Sequence, residues 1–198
     1  MRVAPCGILH VNEPLQAFDL GSQAAKLTHG HPTGYLSAGV FAAVIAGLVG
    51  GKPLTSAVDA ARKTLIGFPD HEETLDAMNT AIRLVALSEA PDRAIPVLGE
   101  GWVAEEALGI SLYCALTAET LEEGVLMAVN ITGDSDSTGA MTGNLLGALH
   151  GASAIPQRWL DRLELREVIA TVAGDLIDIP GFDKHSGDNA WLARYPAS

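Results

Sequence analysis

Apolar residues recur at intervals of three and four along almost the whole chain, and no run alternates in the manner of a strand over more than a few positions. This periodicity predicts an all-α protein. Helix-start signals precede several of the apolar runs, at Asn12-Glu13-Pro14, Pro32, Ser56 with Asp59, the capping box of Thr120 with Glu123, and Pro156. Apolar positions between Leu165 and Leu176 extend the last of these helices or form another after it.

The segment Gly34 to Gly51 carries no formal charge and approaches the length of a membrane-spanning helix. Its residues are mostly Ala, Gly and Ser, which gain little on transfer to lipid, and Pro32 and Pro53 bracket it. The segment therefore predicts a buried core helix. We expect no membrane association and no export signal. No linker or repeat divides the chain, so its 198 residues are predicted to form a single domain, residues 1–198.

Glycines stand four residues apart at Gly139, Gly143, Gly147 and Gly151. Residues at this spacing lie on one ridge of a helix, where the absence of side chains lets a neighbouring helix come close. The row predicts a packing groove, despite the cost of about 1 kcal/mol for each glycine inside a helix.

The composition of the chain limits the classes of partner that this domain is expected to bind. The chain has 12 Lys and Arg against 24 Asp and Glu, a formal net charge of −12, so it would repel a phosphate backbone and nucleic acid is not an expected partner. Cys6 and Cys114 have no metal-type spacing and lie in apolar surroundings. They are predicted to be buried, reduced thiols, as in a cytoplasmic protein.

The strongest candidate for chemistry is the stretch Gly133–Gly139, which holds Asp134, Asp136 and three hydroxyl side chains. In an extended loop, residues two apart face the same way, so the two carboxylates would converge. Such oxygens suit Mg²⁺, Mn²⁺ or Ca²⁺. Capping of the following helix is the alternative. A standard EF-hand is excluded because Leu145 stands where its bidentate Glu would be. A DxDxT phosphatase, with Asp134 as phosphoryl acceptor, is a more distant alternative.

Two other polar clusters are weaker signals. His29 and His31 flank a glycine between two predicted helices, where they could line a ligand pocket, clamp a metal or form a hydrogen-bonded structural pair. Glu105 and Glu106 come early in a predicted helix over 102–116, where they would favourably oppose the positive end of its dipole.

Together these motifs resemble the ADP-ribosylglycohydrolase family. The residues that carry the resemblance are Met1–Pro5, Leu27–Pro32, Gly99–Leu108, Gly133–Gly151 and Trp191–Pro196. The resemblance implies an all-α orthogonal helical bundle and a binuclear Mg²⁺ or Mn²⁺ centre. It also implies hydrolysis of the bond that joins ADP-ribose to a protein side chain or small acceptor.

The resemblance also implies roles for particular residues. Asp134, Asp136 and Ser137 match the late metal ligands of the family, and Gly133 and Ser135 border that site as substrate-binding positions. His29 matches a histidine near the ADP-ribose, and the loop of Met1 and Arg2 helps to enclose the ligand.

The early metal ligands of the family, a Thr-Asp-Asp motif and a further acidic residue, have no counterpart in this chain. We therefore expect an N-terminally truncated version of the fold, with half of the metal ligands and with the catalytic acidic residue upstream. A non-catalytic remnant that binds ADP-ribose or another protein is the alternative.

Overall fold

The computed structural model describes residues 1–178, and α-helices dominate this range without any strand. The prediction of an all-α fold is confirmed, and the α/β phosphatase alternative is wrong. The motif Trp191–Pro196 lies outside the described residues, and the single domain over residues 1–198 stays a prediction. The helices are α1 (Ala4–Leu9), α2 (Pro14–Lys26), α3 (Pro32–Val49), α4 (Leu54–Leu65), α5 (Glu72–Ala86), α6 (Pro91–Leu98), α7 (Ala104–Thr117), α8 (Leu121–Val129), α9 (Ser135–His150), α10 (Gln157–Leu160) and α11 (Arg166–Asp178).

Helix α3 lies at the centre of the fold. Helices α1, α2, α4, α7 and α9 all pack against it, and its residues from Gly39 to Leu48 are buried. By length and by a mean hydropathy of 1.6, α3 could cross a membrane, but 72% of it is buried inside the fold. This is the environment of a core helix, as the composition of the segment predicts.

Most predicted helix starts are confirmed. Pro14 and Pro32 begin α2 and α3, where a missing N–H costs no hydrogen bond. At α8, the Thr120 hydroxyl accepts the backbone N–H of Glu123 at 3.1 Å. The Glu123 carboxylate reaches back to the N–H of Glu119 at 2.9 Å, one residue before the partner of a standard capping box.

The predicted cap at Ser56 is wrong. Helix α4 begins at Leu54, and Pro53 is its N-cap residue, so Ser56 lies inside the first turn. The proline ring fixes φ, here −56°, and so sets the N-cap of the helix three residues earlier than predicted. The short helix α1 has no counterpart among the predicted elements.

The glycine row packs against α8 over only part of its length. A Cβ on Gly139 would lie 2.5 Å from Cγ1 of Val129, and one on Gly143 would lie 3.6 Å from Cγ2 of Val125. Gly147 has no neighbour within 4 Å of such a Cβ, and Gly151 ends α9 with φ of +80°. The packing groove is therefore confined to the first two glycines, and Gly151 is a helix terminator.

This difference predicts opposite effects for two alanine substitutions in one helix. We expect Gly147→Ala to stabilise the protein by about 0.5–1 kcal/mol, because alanine costs less backbone entropy and meets open space. Gly139→Ala is expected to be destabilising, since the stiff Val129 side chain must move and overpacking costs about 1–3 kcal/mol. Urea unfolding of both variants checks this. Equal stability changes in the two would contradict the packing asymmetry.

Both cysteines are free thiols, as predicted. Cys114 is buried and Cys6 is half-buried, so the prediction of two buried thiols is wrong for Cys6. Burial raises the pKa of Cys114 to about 12 and also raises the pKa of Cys6. Neither group has the lowered pKa that marks a reactive cysteine.

Candidate functional site

A cavity of about 610 Å³ opens where the beginnings of α3, α7 and α9 meet. This volume is within the range of small-molecule sites. Apolar side chains of Phe41, Trp102 and Met141 form part of its wall. The polar side chains on the wall come from four separate segments of the chain, and they are Arg2, His29, His31, Thr33, Ser37, Glu105, Asp134 and Ser137.

The acidic stretch forms the beginning of α9. Asp134 is the N-cap residue and Asp136 lies in the first turn, so the predicted extended loop is wrong. The two aspartates nevertheless come together. A hydrogen bond with the Asp134 side chain, helped by the backbone N–H of Ser137, lowers the pKa of the Asp136 carboxyl group.

The Asp134 side chain does not serve as a helix cap, although the residue occupies the N-cap position of α9. Its side chain makes no capping hydrogen bond to the first turn of α9. The nearby hydroxyl of Thr138, by contrast, is committed to structure, since it is fully buried and donates to the carbonyl oxygen of Ala128 at 2.8 Å. The Asp134 carboxylate is therefore available to a ligand, and the Thr138 hydroxyl is not.

The structure brings together some of the predicted site residues. Asp134, Ser137 and His29 lie on the wall of the cavity. Asp136 is exposed beside it. Gly133 and Ser135 are not among the wall residues, and Gly133 packs against the backbone of Glu100. The roles assigned to these six residues stay predictions.

The donors at this helix start fit a hard divalent cation. Two neighbouring carboxylates and the hydroxyl of Ser137 offer only oxygen, the donor type that Mg²⁺ and Mn²⁺ prefer. Residues 1–178 hold no group of three or more His, Cys, Asp or Glu side chains arranged around one point. The Asp134–Ser137 set by itself would leave several coordination positions to other oxygen donors, as Mg²⁺ commonly does.

Both histidines of the second cluster are hydrogen-bonded and also line the cavity. Nδ1 of His29 lies 2.8 Å from Oγ1 of Thr28, and Nδ1 of His31 lies 3.0 Å from Oγ1 of Thr33. These bonds orient both rings at the entrance to α3. His29 and His31 are therefore both structurally hydrogen-bonded and in a position to face a ligand in the cavity.

Three polar side chains of the wall, those of Thr33, Ser37 and Glu105, were not identified as site residues from the sequence. Ser37 is 2% exposed, and its hydroxyl has no hydrogen-bond partner among the described residues. Oε2 of Glu105 is likewise buried and unpaired within that range, and the dipole role of Glu105 in the first turn of α7 stays a prediction. A sequence signal existed for Ser37, because Thr33 and Ser37 are spaced by one helical turn in an otherwise apolar helix.

Glu106 also does more than oppose a helix dipole. Its Oε2 accepts the backbone N–H groups of Glu100, at 3.2 Å, and of Gly101, at 3.0 Å. It therefore organises the turn that precedes α7, and Gly101 of that turn contributes to the cavity wall.

The helical fold and this cavity define an all-α protein with an oxygen-rich, carboxylate-bearing cavity. A profile of the ADP-ribosylglycohydrolase family matches residues 1–184. The chain therefore belongs to the ADP-ribosylglycohydrolase family, whose members hydrolyse glycosyl bonds.

Individual relatives agree with this assignment. The chain is 22% identical over 167 residues to the ADP-ribosyl-[dinitrogen reductase] glycohydrolase of Rhodospirillum rubrum. This match covers 84% of this chain and 50% of the relative. It is 25% identical over 195 residues to ADP-ribosylhydrolase ARH3 of Homo sapiens, covering 83% of this chain and 52% of the relative. The chain thus spans about half the length of these two relatives.

A shorter match and a solved structure complete the comparison. The chain is 35% identical over 71 residues, 36% of its length and 19% of the relative, to the ADP-ribosylarginine hydrolase Tri1 of Serratia proteamaculans. A solved ADP-ribosylglycohydrolase-related protein complex superposes with a TM-score of 0.64 at 27% identity, over 86% of this chain and 60% of that one. The fold type predicted from the resemblance is confirmed.

Proposed function

We propose that this cavity binds the ADP-ribose part of a conjugate and that the protein takes part in metal-dependent hydrolysis of the glycosidic bond to the acceptor. The observation that carries the proposal is the convergence of His29, Asp134 and Ser137 on one cavity wall from distant parts of the sequence. Family membership supports the reaction class, and the names of relatives support an ADP-ribosylated protein as a substrate.

In this proposal, Asp134, Asp136 and Ser137 hold Mg²⁺ or Mn²⁺, in a centre that is binuclear by resemblance to the family. When bound, the ion supplies positive charge that polarises and orients oxygen atoms of the ribose and of water. These three residues lie at the N-terminus of α9, whose partial positive charge favours the ionised form of the two carboxylates that would hold the ion. Gly133 and Ser135 border the metal site as substrate-binding positions.

Other wall residues supply binding and orientation. The Arg2 guanidinium is suited to a diphosphate, since arginine binds phosphate oxygens in a bidentate manner. His29, held by Thr28, is placed to donate or accept a hydrogen bond at a ribose or phosphate oxygen. Phe41 and Met141 give the cavity a dry apolar wall, which strengthens these polar contacts. The combination of free thiols and high acidity supports a cytoplasmic location for this activity.

A second function, binding of ADP-ribose without hydrolysis, is favoured by one observation. The described residues contribute two carboxylates and one hydroxyl at the start of α9 and no third acidic or histidine ligand around the same point. Such a set suits ligand binding more readily than a two-metal reaction.

One pair of assays tests both functions. Titration calorimetry measures ADP-ribose binding with MnCl2 and with EDTA, and a product assay measures ADP-ribose release from ADP-ribosylarginine under the same conditions. Binding with Mn²⁺-dependent release supports hydrolysis, and binding alone supports the second function. Absence of both, in a protein with a helical circular-dichroism spectrum, would overturn the proposed site.

A further inference from the structure

We propose that Glu106 is a positioning residue, which fixes the backbone of Asp134 through the turn Gly99–Gly101. This inference rests on the proposed function, because Asp134 is one of the ligands assigned there. The connection has two steps, from Glu106 to the turn and from the turn to the start of α9.

The first step is a pair of hydrogen bonds from one carboxylate oxygen. Oε2 of Glu106 accepts the N–H groups of Glu100 and Gly101, at 3.2 and 3.0 Å. Bonds to an ionised acceptor are about twice as strong as neutral ones. Gly99 has φ of +112°, and a Cβ there would overlap the Glu106 carboxyl group. The turn is therefore wrapped around this side chain at a distance that only glycine permits.

The second step joins the turn to the proposed ligands. The carbonyl oxygen of Glu100 accepts the backbone N–H of Asp134 at 2.9 Å. Gly133 lies so close to the same carbonyl group that a Cβ on it would overlap the oxygen. A Cβ on Gly101 would lie 2.9 Å from Cγ2 of Thr138. Three glycines, Gly99, Gly101 and Gly133, thus allow Glu106, the turn and α9 to stack in close contact.

This connection matters because it holds the N–H side of Asp134, whose carbonyl oxygen is already held in α9 by the N–H of Thr138 at 3.2 Å. The Asp134 side chain makes no capping hydrogen bond, and its φ of −77° and ψ of 70° lie outside the helical region. The bond to Glu100 fixes the peptide N–H from which the carboxylate projects. When the turn is released, the Asp134 carboxylate loses its fixed distance from Ser137 and from the cavity.

A purely local role for Glu106 is the alternative. Glu106 is the third residue of α7, and Glu123 is the third residue of α8. Both carboxylates accept a backbone N–H from residues just before their helices. Among the described residues, Glu123 makes no hydrogen bond to the turn Gly99–Gly101. Glu123→Ala is therefore a control that removes a similar helix-start interaction and leaves the bonds between Glu106, the turn and Asp134 intact.

The experiment compares wild type with Glu106→Ala, Glu106→Asp, Glu106→Gln and Glu123→Ala in the full chain. Hydrogen exchange of the Asp134 amide is measured by NMR without metal, and Mn²⁺ affinity is measured by calorimetry. We expect Glu106→Ala to speed Asp134 exchange by at least about 10-fold and to weaken Mn²⁺ binding by about 10–100-fold, the usual cost of losing a group that orients ligands.

The remaining variants separate positioning from folding. Glu106→Gln keeps an acceptor oxygen and is expected to restore most of the Mn²⁺ affinity, whereas Glu106→Asp is too short to reach both N–H groups and is expected to be impaired. Glu123→Ala is expected to lower thermal stability and leave both readouts at wild-type values. Should Glu106→Ala not fold, Glu106→Asp carries the same test.

Two failures are distinguishable. Wild-type protein that binds no Mn²⁺ would refute the proposed metal site, and the exchange rate of the Asp134 amide would then test the positioning by itself. Glu106→Ala or Glu106→Asp with wild-type Asp134 exchange and wild-type Mn²⁺ affinity would overturn the positioning role.

Discussion

Replacing Asp134 with Asn is expected to abolish Mn²⁺-dependent release of ADP-ribose and to weaken Mn²⁺ binding by at least about 100-fold. The side chain lies on the cavity wall and, through its interaction with Asp136, lowers the pKa of that carboxyl group, so the substitution removes one of two adjacent carboxylates. Loss of a group that only orients a metal ligand costs about 10–100-fold in affinity, and loss of the ligand charge costs at least as much. Replacing Asp136 with Ala is expected to abolish Mn²⁺-dependent binding for the same reason.

The Asp134→Asn variant is expected to remain folded. Because the Asp134 side chain caps no N–H of α9, its replacement by the isosteric Asn removes no helix-start hydrogen bond. Asp92→Asn is a matched control, since Asp92 is an exposed acid in the first turn of α6 and does not line the cavity. Calorimetry with MnCl2 and a thermal melt of both variants make the comparison. Unchanged Mn²⁺ affinity in Asp134→Asn would remove Asp134 from the metal site.

Two threonines of α9, one turn apart, are expected to respond oppositely to replacement by valine. Thr138 and Thr142 are both fully buried. The Thr138 hydroxyl donates to the carbonyl oxygen of Ala128, which lies in the last turn of α8, where carbonyl groups lack helical partners. The Thr142 hydroxyl has no hydrogen-bond partner among residues 1–178.

We expect Thr138→Val to lower the free energy of unfolding by about 1–3 kcal/mol, because it leaves a buried carbonyl oxygen unpaired. Thr142→Val is expected to raise it by about 1 kcal/mol, since it replaces an unpaired buried hydroxyl with a methyl group of similar size. For a chain of this length, 1 kcal/mol corresponds to about 2–4 °C in melting temperature. A melting temperature that falls equally in the two variants would show that the Ala128 bond makes no special contribution.

Much of the fold could be predicted from local patterns. The starts of α2 and α3 at Pro14 and Pro32 follow from the fixed φ of proline, and the cap of α8 follows from the pairing of Thr120 with Glu123. The start of α4 was misplaced because two signals, Pro53 and Ser56, compete over three residues, and backbone geometry favours the first. Helix α1 has 6 residues, too few to establish a clear apolar period.

The candidate site could be predicted only in part. The pairing of Asp134 with Asp136 is a local property, because both lie in one helix start. The presence of Ser37 and Glu105 in the same cavity, by contrast, cannot be predicted from local sequence. Each residue lies in a helix whose apolar pattern indicates only which face is buried. A polar residue buried in the core and a polar residue that faces a cavity occupy the same positions in this pattern, so the pattern does not distinguish them.

The sequence by itself determined the helical class, the burial of α3, the acidic character of the domain and the two aspartates at the start of α9. These are consequences of residue type and short-range spacing. Only the tertiary structure decided which side chains share the cavity, and that the turn Gly99–Gly101 joins Glu106 to Asp134. The physical reason is that such contacts depend on how several helices pack around α3, and packing at close range is set by the summed shape of all of them rather than by the pattern of any one.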